Sequence, residues 1–261
     1  VVLGVLPLFH VYGLNAVLGS VLRHRAKLVL VDRYDPEGTL DLIDDEAISV
    51  LPVAPAVFAH WKGRDLLKER LGPVRLVLSG SAVLGADVIE DFRSATGIDV
   101  HQGYGLTEAS PVGTTTMRGS EVAGSVGRPL SGVDIRLVDE HTGHLEGDDP
   151  GEIQIRGANL FSGYWPDGAD GPDDEGWWST GDVGYRDPAG DLFLVDRVSD
   201  MLVVSGFNVY PSEVEDALRR IVLAPDIDRC SLVSVAAVTG RIETAHSWAL
   251  DGIDRTPPTD I

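Results

Sequence analysis

The sequence is short of cysteine, of cations and of unbroken apolar runs, and each shortage removes a class of protein. One cysteine, Cys230, allows no disulfide within the chain and fits a reducing compartment, so a cytoplasmic location is expected. No Cys/His cluster has the spacing of a zinc site. Lys and Arg number 21 against 41 Asp and Glu, for a formal charge of −20 and a pI near 4.5. So acidic a surface cannot track a phosphate backbone, and no nucleic-acid partner is expected. An anionic small ligand would need locally placed cations or a metal. The longest apolar stretch, Val1–Leu22, is long enough for a membrane span, but Pro7, His10, Gly13 and Asn15 interrupt it. It reads instead as buried elements of an α/β core. No transmembrane segment is expected, and peripheral membrane contact is left open. There is no basic leader and no starting methionine, so a signal peptide is not expected. The chain enters in mid-strand and is expected to be a piece of something longer. Internal repeats, low-complexity tracts and a G-x-S-x-G elbow are missing, and the last absence leaves a serine hydrolase unsupported.

What is present suits a folded domain. The 261 residues are 43% hydrophobic, enough for a real core in one large domain or one and a half. Early on, short apolar runs alternate with helical patterns. "AKLVLVD" reads as a strand, "DPEGTLDLIDDEAISV" as a helix leading to the strand "VLPVAPA", and "VRLVLSGSA" as a further strand. "GADVIEDFRSATG" reads as a helix closed by Gly97, and "IDVHQGYG" as the next strand and its exit. Such alternation implies a mostly parallel, helix-covered sheet whose ligands sit beyond the carboxyl ends of its strands. After about Gly119 the period changes to two. "GVDIRLVDEHTGHLEGDDPGEIQIRG" and "GDVGYRDPAGDLFLVDR" read as antiparallel sheet or a small barrel, with the pair His141 and His144 in a solvated hairpin turn. "PDGADGPDDEG" is an acidic loop. From about Asp200 the chain changes again, ending in an amphipathic helix, "PSEVEDALRRIV", started by Pro211 and Ser212.

Chemistry concentrates at strand ends. In "HQGYGLTEAS", Thr107 can donate to a phosphate oxygen and Glu108 can hold Mg²⁺ bridging other phosphate oxygens. The neighbouring glycines let backbone approach a ligand closely, and Tyr104 can offer its ring to a base. On these residues alone a second reading stands equally: a glycine-bearing loop with Thr107 as a helix N-cap and Glu108 as a first-turn acid. "STGDV" places Asp182 in a turn, where it either takes both ribose hydroxyls or forms an Asx-turn. Arg197, at a strand end in "LVDRVSD", meets either a ribose or phosphate or only solvent.

Taken together and in order, "PLFHVYGL", "LSGSAVL", "GYGLTEAS", "GEIQIRG", "WWSTGDV" and "DRVSDMLVVSGFNVYPSEVE" resemble the adenylate-forming (AMP-binding) superfamily, in particular its acyl-CoA synthetase, or fatty-acid–CoA ligase, branch. The resemblance covers about Leu6 to Glu215. It implies an α/β fold made of part of a large AMP-binding domain, residues 1–199, and a hinge with a truncated small α+β domain, residues 200–261. The large part comprises a sheet lobe at 1–120 and a β-rich, barrel-like lobe at 121–199. It implies an ATP-dependent acid–CoA ligase, with a small carboxylic acid, ATP and CoA as partners and ATP/AMP, Mg²⁺ and CoA as cofactors. Thr107 would contact the AMP phosphate, Glu108 would hold the metal, and Tyr104 would stack on adenine. Gly80, Ser81 and Ala82 would line the adenine and acyl pocket, Asp182 would hold the ribose with help from Arg197, and Asp200 would be the hinge. His10 is read either as a wall of the acyl channel or as a core histidine satisfied by backbone.

Departures accompany the match. The family's phosphate loop precedes "PLFH" and its C-terminal lysine lies past the end of this chain. Ser199 replaces a commonly basic residue before Asp200. The tail from "RRIVLAP" onward is expected to resemble the family only loosely and at its end not at all, as a frameshift or truncation would produce. The alternatives are an amino-acid- or aryl-acid-activating domain and a non-catalytic nucleotide-binding remnant. "PLFHVYGLNAV" carries no acid to pair a substrate ammonium, which favours an uncharged acyl tail.

Overall fold

The computed structural model describes residues 1–118, 122–139, 143–145, 149–200, 202–204, 207–211, 214–215, 217, 229–235 and 242–249. Its first sheet is built from β1 (Val2–Gly4), β2 (Leu28–Leu30), β3 (Val50–Val53), β4 (Leu76–Ser79) and β5 (Val100–Gln102), in the order β2-β1-β3-β4-β5. Every pairing in it is parallel, as strand–helix alternation requires. A π-helical segment, Tyr12–Gly19, continues into α1 (Ser20–His24) between the first two strands. Next come α2 (Pro36–Asp45), α3 (Ala56–Trp61), α4 (Leu67–Arg70) and α5 (Ala86–Thr96).

The caps explain where the helices begin and end. Asp35 accepts a bond from the Gly38 amide at 2.6 Å, and Pro36 fills the first turn of α2, where a missing N–H costs nothing. Gly97 closes α5 at φ 77°, a left-handed position that suits glycine. Leu40, Ile43, Leu51, Phe58, Trp61 and Val77 are fully or nearly fully buried in the core between sheet and helices. Phe58 and Phe92 meet edge to face there at 5.1 Å.

The β-rich part starts with a short antiparallel pair, β6 (Thr114–Thr115) and β7 (Arg128–Pro129). A second five-stranded sheet then forms from β8 (Val133–Asp139), β9 (Gly143–His144), β10 (Gly151–Gly157), β11 (Trp177–Arg186) and β12 (Leu192–Arg197), ordered β12-β11-β10-β8-β9. The β8–β10 and β8–β9 pairings are antiparallel, matching the period-two pattern. Val133, Ile135 and Leu137 alternate inward on β8 and meet Ile153 and Ile155 of β10 in a second core. Of the two histidines expected in a hairpin turn, His144 lies on β9, and His141 falls outside the described residues.

By its internal contacts the chain divides into two compact units, Val1–Thr180 with Gly184–Leu194, and Gly181–Val183 with Val195–Ile261. Both cores belong to the first unit. Among the described residues the second contains β13 (Leu202–Val204) paired antiparallel with β14 (Phe207–Val209) and β15 (Arg229–Val235) paired antiparallel with β16 (Ile242–Ala249). Most of the helix expected from Pro211 onward, Ser212 included, lies outside the described residues.

Candidate functional site

Beyond β5 the chain turns back sharply on itself. Gly105 bridges Val112, and the amides of Gly113 and Thr114 both donate to the Tyr104 carbonyl, at 2.9 and 3.0 Å. A Cβ on Gly103 would sit 2.3 Å from the Thr114 oxygen, and one on Gly105 only 1.9 Å from the Pro111 oxygen. The two glycines are therefore consumed by the chain's own return path. Sequence reasoning assigned them to close approach by a ligand, and the structure corrects that. It also corrects the capping alternative. Thr107–Ala109 is a single 3-10 turn with Leu106 at its N-cap position and no side-chain cap, so Thr107 starts the turn rather than capping a helix. The Thr107 side chain is exposed and Glu108 is half-buried beside it. Tyr104 is only 6% exposed and packs into the second core.

A segment that sequence reasoning passed over grips this turn. Asn159 donates to the Ala109 and Val112 carbonyls at 2.8 and 3.3 Å. The Phe161 amide donates to the Glu108 carbonyl at 2.8 Å, and the Tyr164 hydroxyl donates to Glu108 Oε1 at 2.6 Å. That bond to a carboxylate, followed by burial, raises the Tyr164 pKa. Phe161 packs edge to face on both Tyr164 and Trp178, at 4.9 and 5.2 Å. The only available sequence signal was the aromatic "NLFSGYW" between two recognised segments.

Gly80, Ser81 and Ala82 follow β4 directly. Gly80 donates to the Val53 carbonyl at 3.2 Å, Ser81 takes φ 75°, and Ser81 and Ala82 are exposed. Tyr12 packs its ring on Gly80 and donates its hydroxyl to the Leu78 carbonyl at 3.3 Å. Burial pushes this phenol up to about 12. His10 is exposed, and its Nδ1 accepts from the Tyr12 amide at 3.2 Å. Backbone does satisfy it, but it is no core histidine.

Asp182 lies inside β11 beside Gly181 at φ 75°, not in the turn expected of it. Arg197 ends β12, and its Nε stands 3.5 Å from Asp182 Oδ1. The structure thus joins two predicted site residues in an ion pair that is 23% exposed on the aspartate and 72% on the arginine. Asp200 is exposed in the 3-10 turn Val198–Asp200 and accepts from the Ser199 hydroxyl at 2.9 Å.

Among the described residues no three His, Cys, Asp or Glu side chains gather into a metal cage. Mg²⁺ does not need one. It is commonly held by one or two carboxylates together with substrate phosphates and water, so Glu108 alone fits the protein's share. No helix among the described residues is long and apolar enough to cross a membrane.

A parallel sheet followed by an antiparallel one, with a Thr–Glu turn at the exit of β5, defines a class, and comparison with known proteins gives the same one. Residues 1–165 match the AMP-binding enzyme family, and the chain belongs to it. It is 35% identical over 268 residues to the long-chain-fatty-acid–CoA ligase of Bacillus subtilis (strain 168), covering 98% of this chain and 48% of that protein. It is 34% identical over 254 residues to 4-coumarate–CoA ligase 1 of Oryza sativa subsp. japonica, covering 93% and 44%. The crystal structure of ATP-bound MatB from Rhodopseudomonas palustris superposes with a TM-score of 0.79 at 32% identity, over 93% of this chain and 48% of that one. The chain thus spans about half the length of the curated relatives it matches. Likeness over 98% of the chain also runs past Glu215 into the tail, which sequence reasoning had set apart from the family.

Proposed function

We propose that this chain is part of an ATP-dependent acid–CoA ligase. A substrate carboxylate attacks the α-phosphorus of ATP, pyrophosphate leaves, and the CoA thiol then displaces AMP from the acyl-adenylate to give a thioester. The observation that carries this reading is the turn at Thr107 and Glu108, an exposed hydroxyl and a half-buried carboxylate fixed side by side. Likeness to ligases named for fatty-acid and 4-coumarate substrates supports it. Transfer at phosphorus asks little covalent chemistry of a protein and much positioning and charge neutralisation.

In the first unit, Thr107 donates to the phosphate that stays with AMP, and Glu108 supplies the protein's ligand to Mg²⁺. When bound, that ion would neutralise developing charge on phosphate oxygens. Residues 80–82 border the base and acyl group, and Tyr104 offers the adenine what remains open of its ring. His10 borders the acyl channel. In the second unit, Asp182 takes the ribose hydroxyls with Arg197 beside it, and Asp200 is the hinge residue. Residues 1–199 are assigned to the large domain and 200–261 to the hinge and small domain. The acid carries an uncharged aliphatic or aryl tail, because no acidic side chain stands in Pro7–Val17 to pair an ammonium. The acidic surface and single cysteine support a cytoplasmic enzyme.

The test is turnover by the full-length enzyme with ATP, CoA and a panel of fatty, aryl and amino acids. Thioester and AMP should appear with uncharged-tail acids and not with amino acids. No product with any acid would favour a non-catalytic nucleotide-binding remnant.

A further inference from the structure

The contacts between residues 159–164 and the Glu108 turn do more than pack two loops together. Asn159 and Phe161 reach three carbonyls of the turn, those of Glu108, Ala109 and Val112, and so fix its backbone. Among the described residues only Tyr164 reaches the Glu108 side chain, through the bond to Oε1. Tyr164 is 46% exposed, so its hydroxyl is not needed to satisfy a buried core, and its ring already packs on Phe161. Among the described residues no cation pairs with Glu108 and no second donor reaches its carboxylate. A carboxylate has two oxygens and about four acceptor sites, so one phenolic donor leaves the other oxygen available.

We propose that Tyr164 is a positioning residue for Glu108: its hydroxyl holds one carboxylate oxygen so that the other is presented, in a fixed orientation, to the divalent cation bound with ATP. This rests on the reading of Glu108 as the protein's metal ligand. A carboxylate held in one rotamer loses less freedom on binding a cation than a loose one, and a single oxygen suffices for an ion that keeps several waters. The bond thus acts through Glu108 and does not touch substrate.

The experiment uses the full-length enzyme and its Tyr164→Phe and Glu108→Gln variants. Mn²⁺ affinity is measured by electron paramagnetic resonance of the free ion, with saturating ATP and no acid, alongside melting temperature and ATP affinity without metal. Tyr164→Phe keeps the ring and should weaken Mn²⁺ binding about threefold to tenfold, the loss expected for one hydrogen bond. Metal-free ATP affinity and melting temperature should barely move. Glu108→Gln should weaken Mn²⁺ binding at least as much, and adding Tyr164→Phe to it should do nothing further. Unchanged or tighter Mn²⁺ binding in Tyr164→Phe, with a loss in Glu108→Gln, overturns the positioning role and leaves the metal-ligand reading standing. Unchanged binding in Glu108→Gln overturns both.

Discussion

The ring of Tyr12 occupies the space that a side chain at residue 80 would need. A Cβ on Gly80 would lie 2.6 Å from Tyr12 Cε1, while the Tyr12 hydroxyl holds the Leu78 carbonyl at 3.3 Å. Two segments 66 residues apart in sequence are locked together at the exit of β4 by this contact. Gly80→Ala should therefore destabilise the full-length enzyme by about 1–3 kcal/mol, because a ring packed over backbone cannot swing aside without strain. In a Tyr12→Ala background the same change should cost far less. A double-mutant cycle by denaturant melting reads the difference, and additivity would refute the contact.

The same tyrosine gives the fold a dependence on alkaline pH. Its pKa is about 12 in the folded protein, against about 10 when unfolded. From about pH 10 upward the unfolded chain holds fewer protons than the folded one, so stability falls as pH rises. The loss is about 2 kcal/mol at pH 12 and levels off only above it. Tyr12→Phe should lose stability less steeply than wild type between pH 9 and 11, when the two are melted side by side. Parallel curves would contradict the burial of this phenol.

Asp182 is tested through the sugar. If it takes both ribose hydroxyls, Asp182→Ala in the full-length enzyme should weaken ATP binding by roughly 10- to 100-fold. Binding of the dideoxy analogue, which lacks the contact, should hardly change. The ion pair with Arg197, at 3.5 Å and with its arginine largely in solvent, would contribute only about 0–1 kcal/mol by itself. Equal losses for the two nucleotides would show that Asp182 only supports local structure.

These cases separate what a sequence makes legible from what it does not. Gly97, the Asp35–Pro36 start and the inward alternation of Val133, Ile135 and Leu137 report on their own neighbourhoods, so α5, α2 and β8 could be read directly. The parallel sheet followed from the strand–helix rhythm. Thr107 and Glu108 stand out in the sequence as a hydroxyl beside a carboxylate, but their surroundings do not. Gly103 and Gly105 were read toward a ligand, because nothing local shows that residues 111–114 pass within van der Waals reach. Asp182 reads as a turn residue between the acidic loop and a strand, yet it lies within β11 itself. Tyr164 reaches Glu108 across 56 residues, a separation at which no periodicity or spacing rule operates.

The most direct test of the account is acid-dependent exchange of pyrophosphate into ATP by the full-length enzyme, compared between wild type and Glu108→Gln. The substitution keeps the shape of the side chain and the Tyr164 contact in reach while removing the charge. Glu108→Gln should lose about 100-fold or more of the exchange rate, the scale of a missing electrostatic contact at a reacting phosphate, with the protein still folded. Exchange within a few-fold of wild type would show that Glu108 does not serve adenylation.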